Sequence, residues 1–268
     1  MSSTLPPAAA RPLRVAYERV GDGPPLVLLH GSVGDGPTTS RWQLDRLSDE
    51  FTVVAWDAPG AGRSSEPPED FRMGGYADCV AHFVDMLGLD EPHVAGLSFG
   101  GALALAFYRR HRSIPNTLIL VSAYAGWAGS LPAGVAEQRL QQALVLADLS
   151  PDEFVGALLP TMFSERTPSE PVDAFGAAMR AFHPAGFRAM ARASAEDRRE
   201  VLPVVKIATL LVYGDNEVRA RLTIAEDLHA TIAGSTLVGL PDTGHLCTIE
   251  APEEFNTAVR TFLRDRRH

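Results

Sequence analysis

The stretch HVAGLSFGG (93–101) sets one serine, Ser98, between two glycines, where an apolar run stops and a helical pattern of small residues begins. In a G-x-S-x-G turn from strand to helix, the glycines remove side chains that would clash with the neighbouring strand and helix. The serine hydroxyl is thereby lifted out of the sheet. A hydroxyl so placed can attack an electrophilic carbon, and the next N–H, that of Phe99, lies at a helix N-terminus where it can donate to a developing oxyanion. A Gly-Ser-Gly turn without chemistry is the plain alternative. The strand pattern before Ser98 and the helical GGALALAFYRR after it favour the nucleophile.

A serine hydroxyl is too weakly acidic to attack unaided, so a base and an orienting acid are required in loops at the same sheet edge. LPDTGHLCTIEAPEEF (240–255) supplies His245 in the loop after the last strand pattern, beside Gly244 and ahead of an amphipathic helix. It is the best placed of eight histidines. His82, His111 and His229 fall within or at the ends of helical patterns, and His93 and His183 precede or sit among apolar residues. For the acid, LVYGDNEVRA (211–220) ends a strand in a carboxylate-rich loop, with Glu217 and Asp215 as candidates. The order serine, acid, histidine is the one this elbow architecture uses. A second oxyanion donor is expected from LLHGSVGDG (28–36), where Gly31 lets the backbone turn and the Ser32 N–H can face the nucleophile. Those glycines lack the G-x-G-x-x-G spacing and the lysine of phosphate-binding loops.

The elements that must position these residues are short β-rich runs alternating with longer helical patterns, the signature of a mostly parallel sheet flanked by helices. Strands are predicted at 14–20, 25–30, 51–57, 93–97, 116–122, 208–214 and 235–240, and helices at 74–88, 98–112, 218–232 and 251–265. From Gly126 to Leu202 no strand pattern occurs, but 131–150, 151–163 and 170–183 read as helical. The division expected is a core of 1–125 and 202–268 with a helical cap, or lid, over 126–201. An insertion leaving the C-terminal edge of a parallel sheet lies where such sheets bind ligands.

Composition narrows the possible partners. A chain of 268 residues, 46% of them hydrophobic, can bury a large core, and a net charge of −9 with dispersed acids draws it to neither nucleic acid nor an anionic membrane. The arginine clusters YRRHR (108–112), DRR (197–199) and RDRRH (264–268) sit at helix ends, where cations suit the dipole. Two cysteines, Cys79 and Cys247, with no C-x-x-C, indicate free thiols and neither a disulfide scaffold nor a zinc site. The opening MSSTLPPAAARPLR lacks the features of a secretion signal, and no apolar stretch reaches the ~18 residues that span a bilayer. A cytoplasmic protein, monomer or homodimer, is expected.

Taken together, HGS (30–32), DAPGAGRS (57–64), GLSFGG (96–101), YGDNE (213–217) and TGH (243–245) resemble the α/β-hydrolase superfamily, in its capped esterase, lactonase and epoxide-hydrolase-like branch. The resemblance covers nearly the whole chain. It implies the α/β-hydrolase fold, a catalytic set of Ser98, His245 and Glu217, an oxyanion hole of Ser32 and Phe99, a small or medium, largely apolar carboxylic ester or lactone substrate cleaved through an acyl-enzyme on Ser98, and no metal or organic cofactor. Asp57 and Arg63 then take a structural role near the site. The usual acid of the G-x-x-D pattern is here Glu217, and Arg219 to Arg221 stand where a proline is common; Asp215 is expected to cap the following turn, and Asp242 lies too near His245 in sequence to orient it. A serine elbow also separates this chain from haloalkane dehalogenases and epoxide hydrolases, whose nucleophile is aspartate. Tyr124, Trp127, Met162, Phe163, Phe182, Phe187 and Leu246 are candidates for an apolar pocket, the alternative for at least half of the aromatics being packing of cap onto core. A carbon–carbon bond hydrolase, a haloperoxidase-like side activity and a hydrolase-fold ligand sensor are the other functions compatible with this residue set.

Overall fold

The apolar runs become seven strands of one sheet in the computed structural model, which describes residues 13–264. The strands are β1 (Tyr17–Val20), β2 (Pro25–Leu29), β3 (Thr52–Trp56), β4 (His93–Leu97), β5 (Thr117–Val121), β6 (Thr209–Gly214) and β7 (Thr236–Leu240), in the spatial order β1-β3-β2-β4-β5-β6-β7. Every pair is parallel except β1 with β3. β3 to β6 are buried at every position, as strands covered on both faces must be, which is why their sequences are apolar without alternation. Each fully buried Val or Leu there contributes roughly 1.5–3 kcal/mol relative to exposure. The first run forms a strand only over Tyr17–Val20, an antiparallel edge whose four residues are all exposed.

Helices α1 (Gly36–Thr39) and α2 (Arg41–Leu47) follow β2, α3 (Met73–Met86) follows β3, and α4 (Phe99–Arg110) follows β4. Sequence periodicity did not reveal α1 and α2: one is a single turn and the other is only seven residues long. Between β5 and β6 lie α5 (Trp127–Ser130), α6 (Ala133–Leu146), α7 (Pro151–Leu158), α8 (Ser169–Arg180) and α9 (Pro184–Ser194). The expected patterns correspond to α6, α7 and α8; α9 was not anticipated, since its buried face is built mainly of Ala, Gly and Met around Phe187. α10 (Leu222–Thr231), α11 (Cys247–Glu250) and α12 (Pro252–Arg264) complete the chain described. In α12 the residues Phe255, Val259, Phe262 and Leu263 form one buried stripe at helical spacing.

The β5–β6 segment is tied to the loops leaving the sheet's C-terminal edge. A Cβ on Gly60, in the loop after β3, would lie 2.4 Å from the Gly186 backbone, and a Cβ on Gly34, after β2, would lie 2.9 Å from the Phe175 ring. Leu246, after β7, donates its N–H to the Met162 carbonyl at 3.0 Å. Of the arginine clusters, Arg110 is paired with Asp78, Arg198 with Glu196 and Arg199 with Asp197; residues 265–268 lie outside those described. Both cysteines are free thiols.

Candidate active site

Ser98 joins β4 to α4 at φ 54°, ψ −109°, a conformation that side chains rarely adopt. Its surroundings hold it there. The Ser98 N–H donates to the Val121 carbonyl of β5 at 2.8 Å, and the Ser98 carbonyl accepts from Gly101 and Ala102. A Cβ on Gly96 would stand 2.1 Å from the Gly100 carbonyl oxygen, and one on Gly100 would stand 2.1 Å from that of Leu29. Helix and strand therefore approach so closely that the small residues of GLSFGG are a steric requirement. The Phe99 N–H, first of α4, has no acceptor within its own helix.

The loop after β2 comes to the same place. A Cβ on Gly31 would be 3.8 Å from the Ser98 Cβ, in ordinary contact, so Ser32 follows a residue packed beside the serine. This turn is fixed by His30, which HGS marks in the sequence without showing its role. Its Nε2 accepts from the Ala58 N–H at 2.9 Å, so the proton must be on Nδ1, which lies 2.6 Å from the Gly31 carbonyl. Burial lowers the His30 pKa against the opposing pull of Asp57, the Gly31 carbonyl and Asp35, and a neutral ring is what this pairing requires. The adjacent histidine-glycine pair at a strand end was the only local signal. Asp57 and Arg63 are bonded as a structural unit: the buried carboxylate accepts from the Gly36 N–H, the Arg63 N–H and the Arg63 guanidinium.

His245 and Glu217 meet in the interior. The imidazole Nδ1 lies 2.5 Å from Glu217 Oε2, with both residues buried. Glu217 Oε1 accepts from the Arg219 N–H at 2.6 Å. Burial by itself would push the Glu217 pKa up, but the charge of His245, its hydrogen bond, and the backbone donors of Arg219 and Ala220 prevail and hold it down at about 2. An ionised carboxylate can only accept, so Nδ1 carries the ring proton and the Nε2 lone pair remains for another partner. Asp215 is exposed and donates only its backbone N–H, to the Leu240 carbonyl. Its side chain makes no capping hydrogen bond among the described residues, because it points from the strand end into solvent. Asp242 is likewise exposed and pairs with Arg166.

The pocket candidates divide by contact. Phe182 stacks on Phe154 with centroids 3.8 Å apart, and Phe187 meets Phe154 edge-on at 5.0 Å, so these three rings form a cluster within the β5–β6 segment. Phe163 packs edge-on to Phe175. Tyr124 and Trp127 are buried beneath the Arg139 guanidinium, and Met162 and Leu246 are buried where their two segments join. Among the described residues, no group of three or more His, Cys, Asp or Glu side chains is arranged to hold a metal ion, and no helix is long and apolar enough to cross a membrane.

Glu250 also escaped the sequence reading, because nothing in its local pattern marks it. Its Oε1 accepts from the Gly244 N–H at 2.9 Å, and its Oε2 accepts from the Ser164 N–H at 2.8 Å and the Thr167 hydroxyl at 2.7 Å. One carboxylate thus fastens the loop bearing His245 to residues 164–167. Glu250→Ala leaves those backbone donors without their acceptor, and we expect a stability loss of about 2 kcal/mol or more. Thermal unfolding checks this; a wild-type Tm would show that the fastening is idle.

This chain belongs to the alpha/beta hydrolase family: the sequence pattern of that family runs through residues 26–258, from β2 into α12. It is a hydrolase with esterase and dehalogenase relatives. A thermophilic esterase from Thermogutta terrifontis has a similar structure, with 30% sequence identity and a TM-score of 0.88 over 97% of this chain and 96% of that one. Haloalkane dehalogenase 2 of Mycobacterium tuberculosis (strain ATCC 25618 / H37Rv) is 29% identical over 268 residues, covering 92% of this chain and 90% of the relative. An enol-lactonase from Burkholderia xenovorans LB400, 24% identical, shares the fold with a TM-score of 0.85 over 96% of this chain and 99% of that one.

Proposed function

We propose that the protein is a serine hydrolase that cleaves a small or medium carboxylic ester or lactone through an acyl-enzyme on Ser98. The observation that carries this reading is the buried His245–Glu217 pair, set at the sheet edge where β4 delivers a strained serine. His245 Nε2 takes the Ser98 proton as Oγ attacks the carbonyl carbon, and the N–H groups of Phe99 and Ser32 stabilise the tetrahedral oxyanion. The imidazolium then protonates the leaving alkoxide, which departs. Water, deprotonated by the same ring, attacks the acyl carbon and frees the acid. Glu217 keeps the ring in the right tautomer and steadies its cation. Residues 126–201 act as a cap over this edge, with Tyr124, Trp127, Met162, Phe163 and Leu246 facing substrate and Phe182 and Phe187 holding the cap together.

Dehalogenation is disfavoured by the chemistry of the nucleophile. Halide displacement by a carboxylate gives an ester, which water can open at its carbonyl; displacement by Ser98 would give an ether with no carbonyl to attack. The test is a fluorophosphonate probe followed by peptide mapping, alongside 4-nitrophenyl esters of graded chain length. The expected result is a single adduct on Ser98 and turnover of the shorter esters. Turnover that persists with Ser98 unlabelled would overturn the reading.

A further inference from the structure

Most of the described arginines that touch a partner sit in ion pairs, but Arg139 and Arg219 do not. Arg139 projects from the face of α6 that also carries the buried Ala136 and Ala143, and it is half-buried. Its guanidinium lies over the rings of Tyr124 at 5.4 Å and Trp127 at 5.8 Å. It donates to the Tyr124 hydroxyl at 2.6 Å and to the Arg219 carbonyl at 3.3 Å. Arg219, also half-buried, donates through its side chain to the Thr161 hydroxyl at 2.8 Å and through its N–H to Glu217. Among the described residues neither guanidinium is in an ion pair, and neither has a nitrogen that is both fully buried and unpartnered. A guanidinium has five N–H donors, so both retain donors open to a solvent-reachable space.

Two like charges withdrawn together from water are costly without a counter-ion. Burial lowers the Arg219 pKa and the neighbouring charge of Arg139 lowers it further, while Tyr124 and the Glu217 carboxylate oppose both. The aromatic faces under Arg139 offset part of this cost, as a ring quadrupole attracts a cation. The carboxylate that acts on Arg219, that of Glu217, is held by His245 Nδ1 and the Arg219 N–H and forms an ion pair with neither guanidinium. We propose that Arg139 and Arg219 form a carboxylate-binding subsite beside the Glu217–His245 pair, selecting esters that carry a second, ionised carboxylate away from the bond to be cleaved. The inference rests on the serine-hydrolase reading and names its substrate class. Tyr124 follows β5 and Arg219 follows β6, the two strands beside β4 on the acid side, so the arginines gather at the sheet edge that carries Ser98, and the proposed substrate is one whose carbonyl meets the serine while its free carboxylate meets the arginines. Guanidinium forks suit this, since they bind a carboxylate through two parallel hydrogen bonds.

The test compares mono-4-nitrophenyl adipate with 4-nitrophenyl heptanoate, esters of similar length that differ in the terminal charge. The expected wild-type preference in kcat/KM for the adipate ester is about tenfold or more, and it shrinks as salt is added. Arg139→Gln and Arg219→Gln each reduce the ratio of the two values by roughly tenfold, to near unity, within the range of a hydrogen bond to a charged group. Arg139→Lys, which keeps charge but loses the fork, retains part of the preference. The ratio cancels any general loss of activity in the variants. Adipate dianion should also raise the Tm of the wild type above that in sodium chloride of equal ionic strength, and should not do so for Arg139→Gln. Equal turnover of the two esters, with adipate protecting no better than chloride, overturns the subsite and leaves the hydrolase standing. If neither ester is cleaved the hydrolase reading fails, and the melting shift alone decides the subsite.

Discussion

Ser98→Ala leaves the chain folded and removes ester hydrolysis, with kcat falling by roughly 10⁴- to 10⁶-fold, the range seen when a nucleophile that acts as part of a unit is deleted. On the proposed mechanism the loss is large because the acyl-enzyme cannot form without the hydroxyl, which leaves only the residual rate that binding and oxyanion stabilisation would supply. Folding survives for a local reason. Alanine meets the same backbone strain at φ 54° as serine does, and the bonds that pin the turn come from the main chain, which the substitution keeps. Ser98→Gly, which relieves that strain, should be more stable than Ser98→Ala by about 1 kcal/mol and equally inactive. Circular dichroism, thermal unfolding and burst kinetics on the best 4-nitrophenyl ester measure these effects. A folded alanine variant with wild-type turnover would sink the serine mechanism.

Glu217→Gln is the second large effect expected, a fall in kcat of about 10⁴-fold with the fold retained, because a neutral amide neither steadies the imidazolium nor enforces the tautomer. Each Glu217 oxygen already accepts a hydrogen bond, from His245 and from the Arg219 N–H, so the amide NH₂ must face one donor with another. Asp215→Asn, at an exposed side chain, should change kcat by less than about twofold, as surface positions generally do. Inactive Asp215→Asn beside active Glu217→Gln would exchange their roles. The pH dependence of stability adds a signature. With its carboxyl depressed to about 2 in the fold against 4.5 in an unconstrained chain, Glu217 contributes stability fully present above pH 4.5 and lost as pH falls toward 2. Glu217→Gln should flatten that limb of an acid titration followed by unfolding.

The strands were legible because burial on both faces demands uninterrupted apolar runs, and β4 could be delimited residue for residue from HVAGL alone. The elbow was legible for a steric reason: few sequences other than small residues around a serine let a helix leave a strand so closely, as the 2.1 Å approaches at Gly96 and Gly100 show. The order of serine, carboxylate loop and histidine was likewise written along the chain. Which carboxylate meets the imidazole was a different matter. Asp215 and Glu217 are two residues apart in one loop, and only the direction each side chain takes as the backbone leaves β6 turned one inward and the other to solvent. Similarly, Phe182 and Phe187 are equally good candidates for pocket or packing until the fold brings Phe154, from another helix, against both, stacked on the first and edge-on to the second. His30, Glu250 and the Arg139–Arg219 pair each act through at least one partner 28 to 86 positions away, and no local periodicity records such a contact. The sequence by itself determined the sheet, the turn that strains Ser98 and the kinds of residue at its edge, because those follow from short-range sterics and burial. The tertiary structure alone decided which of them touch, because hydrogen-bond partners are selected by how separate loops converge.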